Sequence, residues 1–194
     1  MRKGLPQPVV RQLLSAIDLL SPFGPRNFFM LVFALHTGLR ISEWCSLTVG
    51  DVADHGVPRT WLHVSKEAAK FGKPRWVPLN AVAQKAVLKT IAFNQKHGFS
   101  VSPEAPLWVN RYHRPVGPRA IQYMVAELRE KAGLPAPCVP HQLRHAFAVK
   151  VMERTGNLRH VQDLLGHDKL RSVECYTALS PAELEKATNA IAHA

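Results

Sequence analysis

A histidine and an arginine stand three residues apart in His141-Gln142-Leu143-Arg144-His145, and another histidine follows a glycine in Leu165-Gly166-His167. Nine residues further on is Tyr176. Far upstream, Thr37-Gly38-Leu39-Arg40-Ile41-Ser42-Glu43 sets a second arginine three residues before an acid. Breaking a phosphodiester without a metal would call on these side chains. A tyrosine oxygen attacks phosphorus and leaves a covalent phosphotyrosine. Charge gathering on the non-bridging oxygens suits arginine, whose planar fork stays charged and grips phosphate with two hydrogen bonds. The departing oxygen needs a proton, which a lysine or histidine within reach supplies. Positioning and fixed charge would carry the acceleration.

Taken singly, each residue has a plainer reading. A lone histidine is more often a satisfied structural residue, and Arg40 with Glu43 could be an ordinary surface ion pair. His167, just past a helix-ending glycine, could be a cap, and Tyr176 could be core or surface. His141 and Arg144 share a face if the segment is helical, whereas His145 is one step round and reads as a packing or surface residue. The signal lies in all of them occurring together, in this order.

That ordered set resembles the tyrosine recombinases of the phage-integrase type, over roughly residues 7 to 190. Residue by residue, the resemblance implies that Arg40 and Arg144 hold the scissile phosphate and that Glu43 supports them. Tyr176 would be the nucleophile, His141 would help take its proton, and His167 would hydrogen-bond the phosphate. Lys70-Phe71-Gly72-Lys73-Pro74-Arg75-Trp76-Val77-Pro78-Leu79 resembles the family's β-hairpin with its mobile catalytic lysine. Counting back from Val77-Pro78-Leu79 selects Lys70, with Lys73 the alternative; Ala69 and Phe71 stand where the family usually has glycines.

The implied reaction is site-specific recombination through a 3′-phosphotyrosine and a free 5′-hydroxyl, with no metal, ATP or other cofactor. Double-stranded DNA is the implied partner. The implied assembly is a four-membered ring on DNA and a monomer or weak oligomer without it. The implied fold is α+β, mainly helical, with a small antiparallel sheet. The family usually places a core-binding domain before this unit. Here the chain begins only a helix or two before Arg40, so one catalytic domain over residues 1–194, without that N-terminal domain, is expected. Two alternatives share features: a type IB topoisomerase, which has the same chemistry, and a non-catalytic DNA-binding regulator. The Leu-Gly-His element and small size favour a recombinase over the first, and the complete set of six residues speaks against the second.

Composition agrees with a DNA partner. The 194 residues carry 25 Lys and Arg against 14 Asp and Glu, a formal +11, which favours a polyanion. Lys73, Arg75, Arg119 and Gln122 are the candidate DNA contacts outside the chemistry, the last two on a helix that could read a major groove. Cys45, Cys138 and Cys175 form no Cys-x-x-Cys pair, which argues against a disulfide framework or zinc ribbon and for reduced thiols in a cytoplasm. His141 and His145 have helical ligand spacing, but no acidic pair or cysteine completes a metal shell. The apolar run from Phe28 to Leu35 is too short to span a bilayer, and no apolar stretch follows the charged N-terminus as a signal peptide would need.

Several elements must position these residues. Val10, Leu13, Leu14, Ile17 and Leu20 predict a helix over 7–20, and a densely apolar one follows over 26–36. A short helix bears Arg40 and Glu43, and Gly50 and Gly56-Val57-Pro58 read as loop. Strands are predicted over 60–64 and 75–79, around a basic loop. Helices follow over 81–96, 119–131 and 158–165, another starts at Pro140, and Gly166 is a C-cap. The Gly- and Pro-rich stretch 97–118 reads as surface. Ser180-Pro181-Ala182-Glu183 is a capping-box pattern opening a terminal helix. Its apolar residues Leu184, Ala187 and Ile191 would cover either their own domain or a neighbouring subunit.

Overall fold

The computed structural model describes residues 5–65, 74–134, 140–166 and 181–192. Lys70, Lys73, His167, Tyr176, Cys138, Cys175 and Ser180 lie outside the described residues.

The first apolar stripe forms α1 (Gln7–Ser15), which buries Val10 and Leu13. It stops earlier than its pattern suggests, because turns closed by Ser21 N–H to Asp18 O and Gly24 N–H to Ser21 O reverse the chain first. The dense apolar run forms α2 (Gly24–Thr37), with Met30, Leu31, Phe33 and Thr37 buried. Gly38 ends it at φ 62°, a left-handed position that a glycine reaches without steric cost. Two short helices follow, α3 (Ile41–Cys45) and α4 (Val49–Val52).

Two antiparallel pairs stand where one was expected. β1 (Ala53–Asp54) and β2 (Val57–Pro58) pair around the turn at His55-Gly56, a stretch read from sequence as loop. β3 (Trp61–Val64) pairs with β4 (Arg75–Pro78) so that Leu62 faces Val77 and Val64 faces Arg75. Leu62, Val64, Arg75 and Val77 point inward, while His63 and Trp76 are exposed, their rings in tilted contact at 4.7 Å between centroids.

Asn80 caps α5 (Ala81–Lys96) by accepting the Ala83 N–H at 3.0 Å. The stretch from His97 to Pro118 corrects the surface reading. Leu107 and Trp108 are wholly buried, Leu107 N–H donates to Leu47 O, and Val49 N–H donates to Ala105 O. Prolines and glycines bend this segment, but its central Leu-Trp-Val triad goes into the core. α6 (Pro118–Lys131) then buries Ile121, Val125 and Leu128.

α7 (Pro140–Thr155) runs between two apolar clusters. Leu143 and Ala146 join the main core with α2 and α5, while Phe147, Ala148 and Val151 join α8 (Leu158–Leu165) and α9 (Pro181–Asn189). Among its buried residues are three polar ones, Gln142, Arg144 and Lys150, of which the arginine is the one aimed at the site described below. Ala187 and Ile191 are buried in the second cluster, so the terminal helix packs on its own domain in this structure. Among the described residues, no helix is long and apolar enough to cross a membrane.

Candidate active site

Glu43 is the centre of the site. It is only 1% exposed, on the short helix α3 that opens right after Arg40. Its Oε2 accepts the Arg40 backbone N–H at 2.7 Å, so the carboxylate caps its own helix. Its Oε1 accepts Arg40 Nη1 at 2.8 Å. Arg75 donates from Nη1 to Oε1 at 2.9 Å and from Nη2 to Oε2 at 2.8 Å, the bidentate geometry of a strong charge-assisted pair. Arg144 Nη1 lies 3.9 Å from Oε2.

Three guanidiniums therefore surround one buried carboxylate, a formal surplus of two positive charges. Burial pushes the Glu43 carboxyl up, but the hydrogen bonds and charge of Arg75 and then the hydrogen bonds of Arg40 outweigh it and hold the group below the ordinary carboxylate value. Arg144 is pushed down to about 9, first by burial and then by Arg40 and Arg75, and so remains charged at neutral pH.

The other wall of the site is the end of α8. The last carbonyls of a helix have no partner within it and carry the negative end of its dipole. Here each of three successive carbonyls takes an arginine: Leu164 O accepts Arg75 Nε at 3.0 Å, Leu165 O accepts Arg144 Nη2 at 2.7 Å, and Gly166 O accepts Arg40 Nη2 at 3.4 Å. Arg144 Nη1 also donates to Gly38 O at 2.7 Å, at the end of α2. Arg144 is thus clamped between two helix termini, and its five N–H donors exceed the two carbonyls it serves among the described residues.

Arg40, Glu43 and Arg144, expected to act together, do meet. His141, the second residue of α7, lies one turn before Arg144 and is exposed; His145 is half-buried. Arg119 and Gln122 lie on the exposed side of α6. Lys70, Lys73, His167 and Tyr176 lie outside the described residues; His167 follows Gly166 directly in the sequence.

Arg75 needs a correction. Read as a DNA contact, it is buried, with both edges of its fork on Glu43 and its Nε on a backbone carbonyl. With its Nε and both Nη atoms engaged and its side chain buried, Arg75 is not placed to contact a duplex. In β4 Val77 packs inward, so Arg75, two residues earlier, does as well, and Trp76 between them faces out.

The phage integrase family model matches residues 3–183. The chain belongs to that family. Tyrosine recombinase XerC of Bacillus licheniformis is 33% identical over 187 residues, which cover 95% of this chain and 59% of the relative. This member of the integrase family thus spans well under two thirds of the length of that relative. Its fold is similar to two solved structures. One is the XerH site-specific recombinase bound to difH substrate, with a TM-score of 0.68 and 20% identity over 87% of this chain and 48% of that one. The other is the lambda integrase catalytic core, with a TM-score of 0.67 and 18% identity over 89% of this chain and 96% of that one.

Proposed function

We propose that this chain is the catalytic unit of a site-specific recombinase that cuts and rejoins double-stranded DNA. The observation that carries the proposal is the convergence of Arg40 and Arg144, from motifs 104 residues apart, on one buried carboxylate with positive charge to spare. A phosphodiester gains negative charge as it is attacked, and a pre-formed cationic cradle stabilises that state without reorganising.

In this reading Tyr176 attacks phosphorus, and the 5′ oxygen leaves with a proton from Lys70, with Lys73 the alternative donor. The products are a 3′-phosphotyrosine and a free 5′-hydroxyl. His141 helps accept the tyrosine proton, and His167 hydrogen-bonds a phosphate oxygen. Arg40 and Arg144 bind the non-bridging oxygens, and Glu43 orients them. The 5′-hydroxyl of a partner strand then attacks the phosphotyrosine, so the bond energy is kept and no ATP is needed. Arg119, Gln122 and Lys73 contact the duplex, and the net charge of +11 favours its backbone. Four copies acting on DNA in a bacterial cytoplasm complete the proposal. The XerH structure, solved with its DNA substrate, supports DNA as the ligand class.

A nicked duplex whose cut strand cannot be religated tests the reaction. An SDS-resistant adduct is expected, and adding an oligonucleotide with a 5′-hydroxyl should resolve it into a joined strand. DNA binding without any adduct would point to a regulator instead. Relaxation of supercoils without joining of partner strands would point to a topoisomerase.

A further inference from the structure

We propose that Arg75 is a positioning residue for strand cleavage, acting through Glu43 to fix the Arg40 guanidinium. The inference rests on the proposed role of Arg40 in holding the scissile phosphate.

Three observations carry it. Arg75 arrives from β4 and binds two other elements at once, α3 through both oxygens of Glu43 and α8 through Leu164 O. Each Glu43 oxygen is shared. The oxygen that accepts Arg75 Nη1 also accepts Arg40 Nη1, and the oxygen that accepts Arg75 Nη2 also accepts the Arg40 backbone N–H. With both oxygens pinned from behind by a rigid fork, the carboxylate presents one fixed face to Arg40. The structure also makes room for this arrangement. A side chain at Gly166 would bring its Cβ within 2.9 Å of Arg75 Cδ, and the backbone there has φ 63°. The carbonyl row that ends α8 is therefore built around the Arg75 stem.

Electrostatics points the same way. A carboxylate this buried is costly to ionise alone, and Arg75 contributes most to keeping it charged. Without Arg75 the carboxyl moves toward its neutral form, one oxygen becomes a hydroxyl, and the grip on Arg40 loosens. The consequence is a pH signature that a residue with a purely structural role would not give. The wild-type carboxylate is held below its ordinary value, so its contribution is lost only at low pH. In Arg75→Met that loss moves to higher pH, and cleavage fails earlier as the solution is acidified.

The test measures adduct formation on the nicked duplex under single-turnover conditions, against pH, with DNA affinity and thermal stability recorded alongside. Arg75→Met is expected to slow cleavage by roughly 100-fold near neutral pH, the scale of a catalytic group misplaced by about 1 Å. DNA affinity should change by less than about threefold, and the acid limb should move up. Arg75→Lys keeps the charge without the fork and should restore part of the acid limb. In a Glu43→Gln background the route through the carboxylate is gone, so adding Arg75→Met should cost less than about threefold more. Should Arg75→Met not fold, the double variant, which removes both partners of the buried pair, still gives this comparison with Glu43→Gln. Equal losses in the two backgrounds, or an unmoved acid limb, would overturn the role. Arg40→Ala separates the two levels of the argument. Undiminished cleavage by Arg40→Ala would sink the reading of the site itself. An inactive Arg40→Ala beside a fully active Arg75→Met would overturn only the positioning role.

Discussion

Gly38→Ala perturbs the site from behind, and the size of its effect follows from two separable terms. The backbone at Gly38 has φ 62°, where an alanine is disfavoured by about 1–2 kcal/mol. The new Cβ would lie 2.4 Å from Phe147 Cδ1 and 3.0 Å from Leu165 Cδ2, in a region with no slack because Phe147 is wholly buried. Overpacking of this kind costs about 1–3 kcal/mol. The sum, about 2–5 kcal/mol, would lower the melting temperature by an amount on the order of 5–20 °C for a chain of this size. The second term can be removed. Phe147→Leu makes room for the methyl group but leaves φ unchanged, so the double variant should recover about 1–2 kcal/mol relative to the sum of the singles. Function should respond as well. Gly38 O holds Arg144 Nη1 at 2.7 Å, and Phe147 follows Arg144 by three residues on α7. Pushing that ring aside shifts the arginine, so cleavage should fall even where the protein remains folded. Urea unfolding and single-turnover adduct formation provide the two readouts. A loss of stability below about 0.5 kcal/mol, or strictly additive singles, would refute the reasoning.

Three further outcomes are expected. Arg40→Lys and Arg144→Lys keep a charge but lose the fork, so adduct formation should fall by about 100-fold or more while filter-binding affinity changes far less; equal losses would mean that these residues only dock the backbone. His36 is pushed down from 6.5 to about 4 by burial and then by Lys150, and its Nδ1 lies 3.2 Å from Asn80 Nδ2. Its folded pKa lies below the unfolded one, so its contribution is complete above pH 6.5 and lost as pH falls toward 4, a decline of about 3 kcal/mol that His36→Gln should flatten in urea titrations. Ile191→Ala, at a wholly buried position against α7 and α8, should cost about 2–5 kcal/mol in thermal unfolding, and a near-neutral result would mean that α9 does not belong to the folded unit.

The longer helices were largely legible, although α1 ends at Ser15 rather than at 20 and α4 forms where Gly50 was read as loop. The predicted 81–96 is observed as α5 under its Asn80 cap, and α8 ends at Gly166 as its left-handed glycine requires. Pro140 opens α7, as a residue without an N–H donor can. The burial of Leu107, Trp108 and Val109 in the 97–118 stretch was hidden because Gly and Pro counts describe how a chain bends, not which side of it is buried. The two-residue strands β1 and β2 carry too few positions to show a period at all. In the site, residue types and order identified Arg40, Glu43 and Arg144, but a surface ion pair and a buried one look the same in sequence. Arg75 was misread because Trp76 and Val77 are both apolar, which leaves strand parity ambiguous until a fold shows which one faces in. The row of α8 carbonyls had no sequence signal, since backbone groups are the same at every residue.

Covalent attachment to DNA through Tyr176 can be read from a single denaturing gel. The wild-type chain and Tyr176→Phe are incubated with the nicked duplex, denatured and resolved, and any adduct is digested to find the modified peptide. An adduct on the peptide containing Tyr176, joined through a 3′-phosphate, is expected, with no adduct and unchanged DNA affinity for Tyr176→Phe. An SDS-resistant adduct from Tyr176→Phe, or a modified peptide from elsewhere in the chain, would contradict attachment through Tyr176.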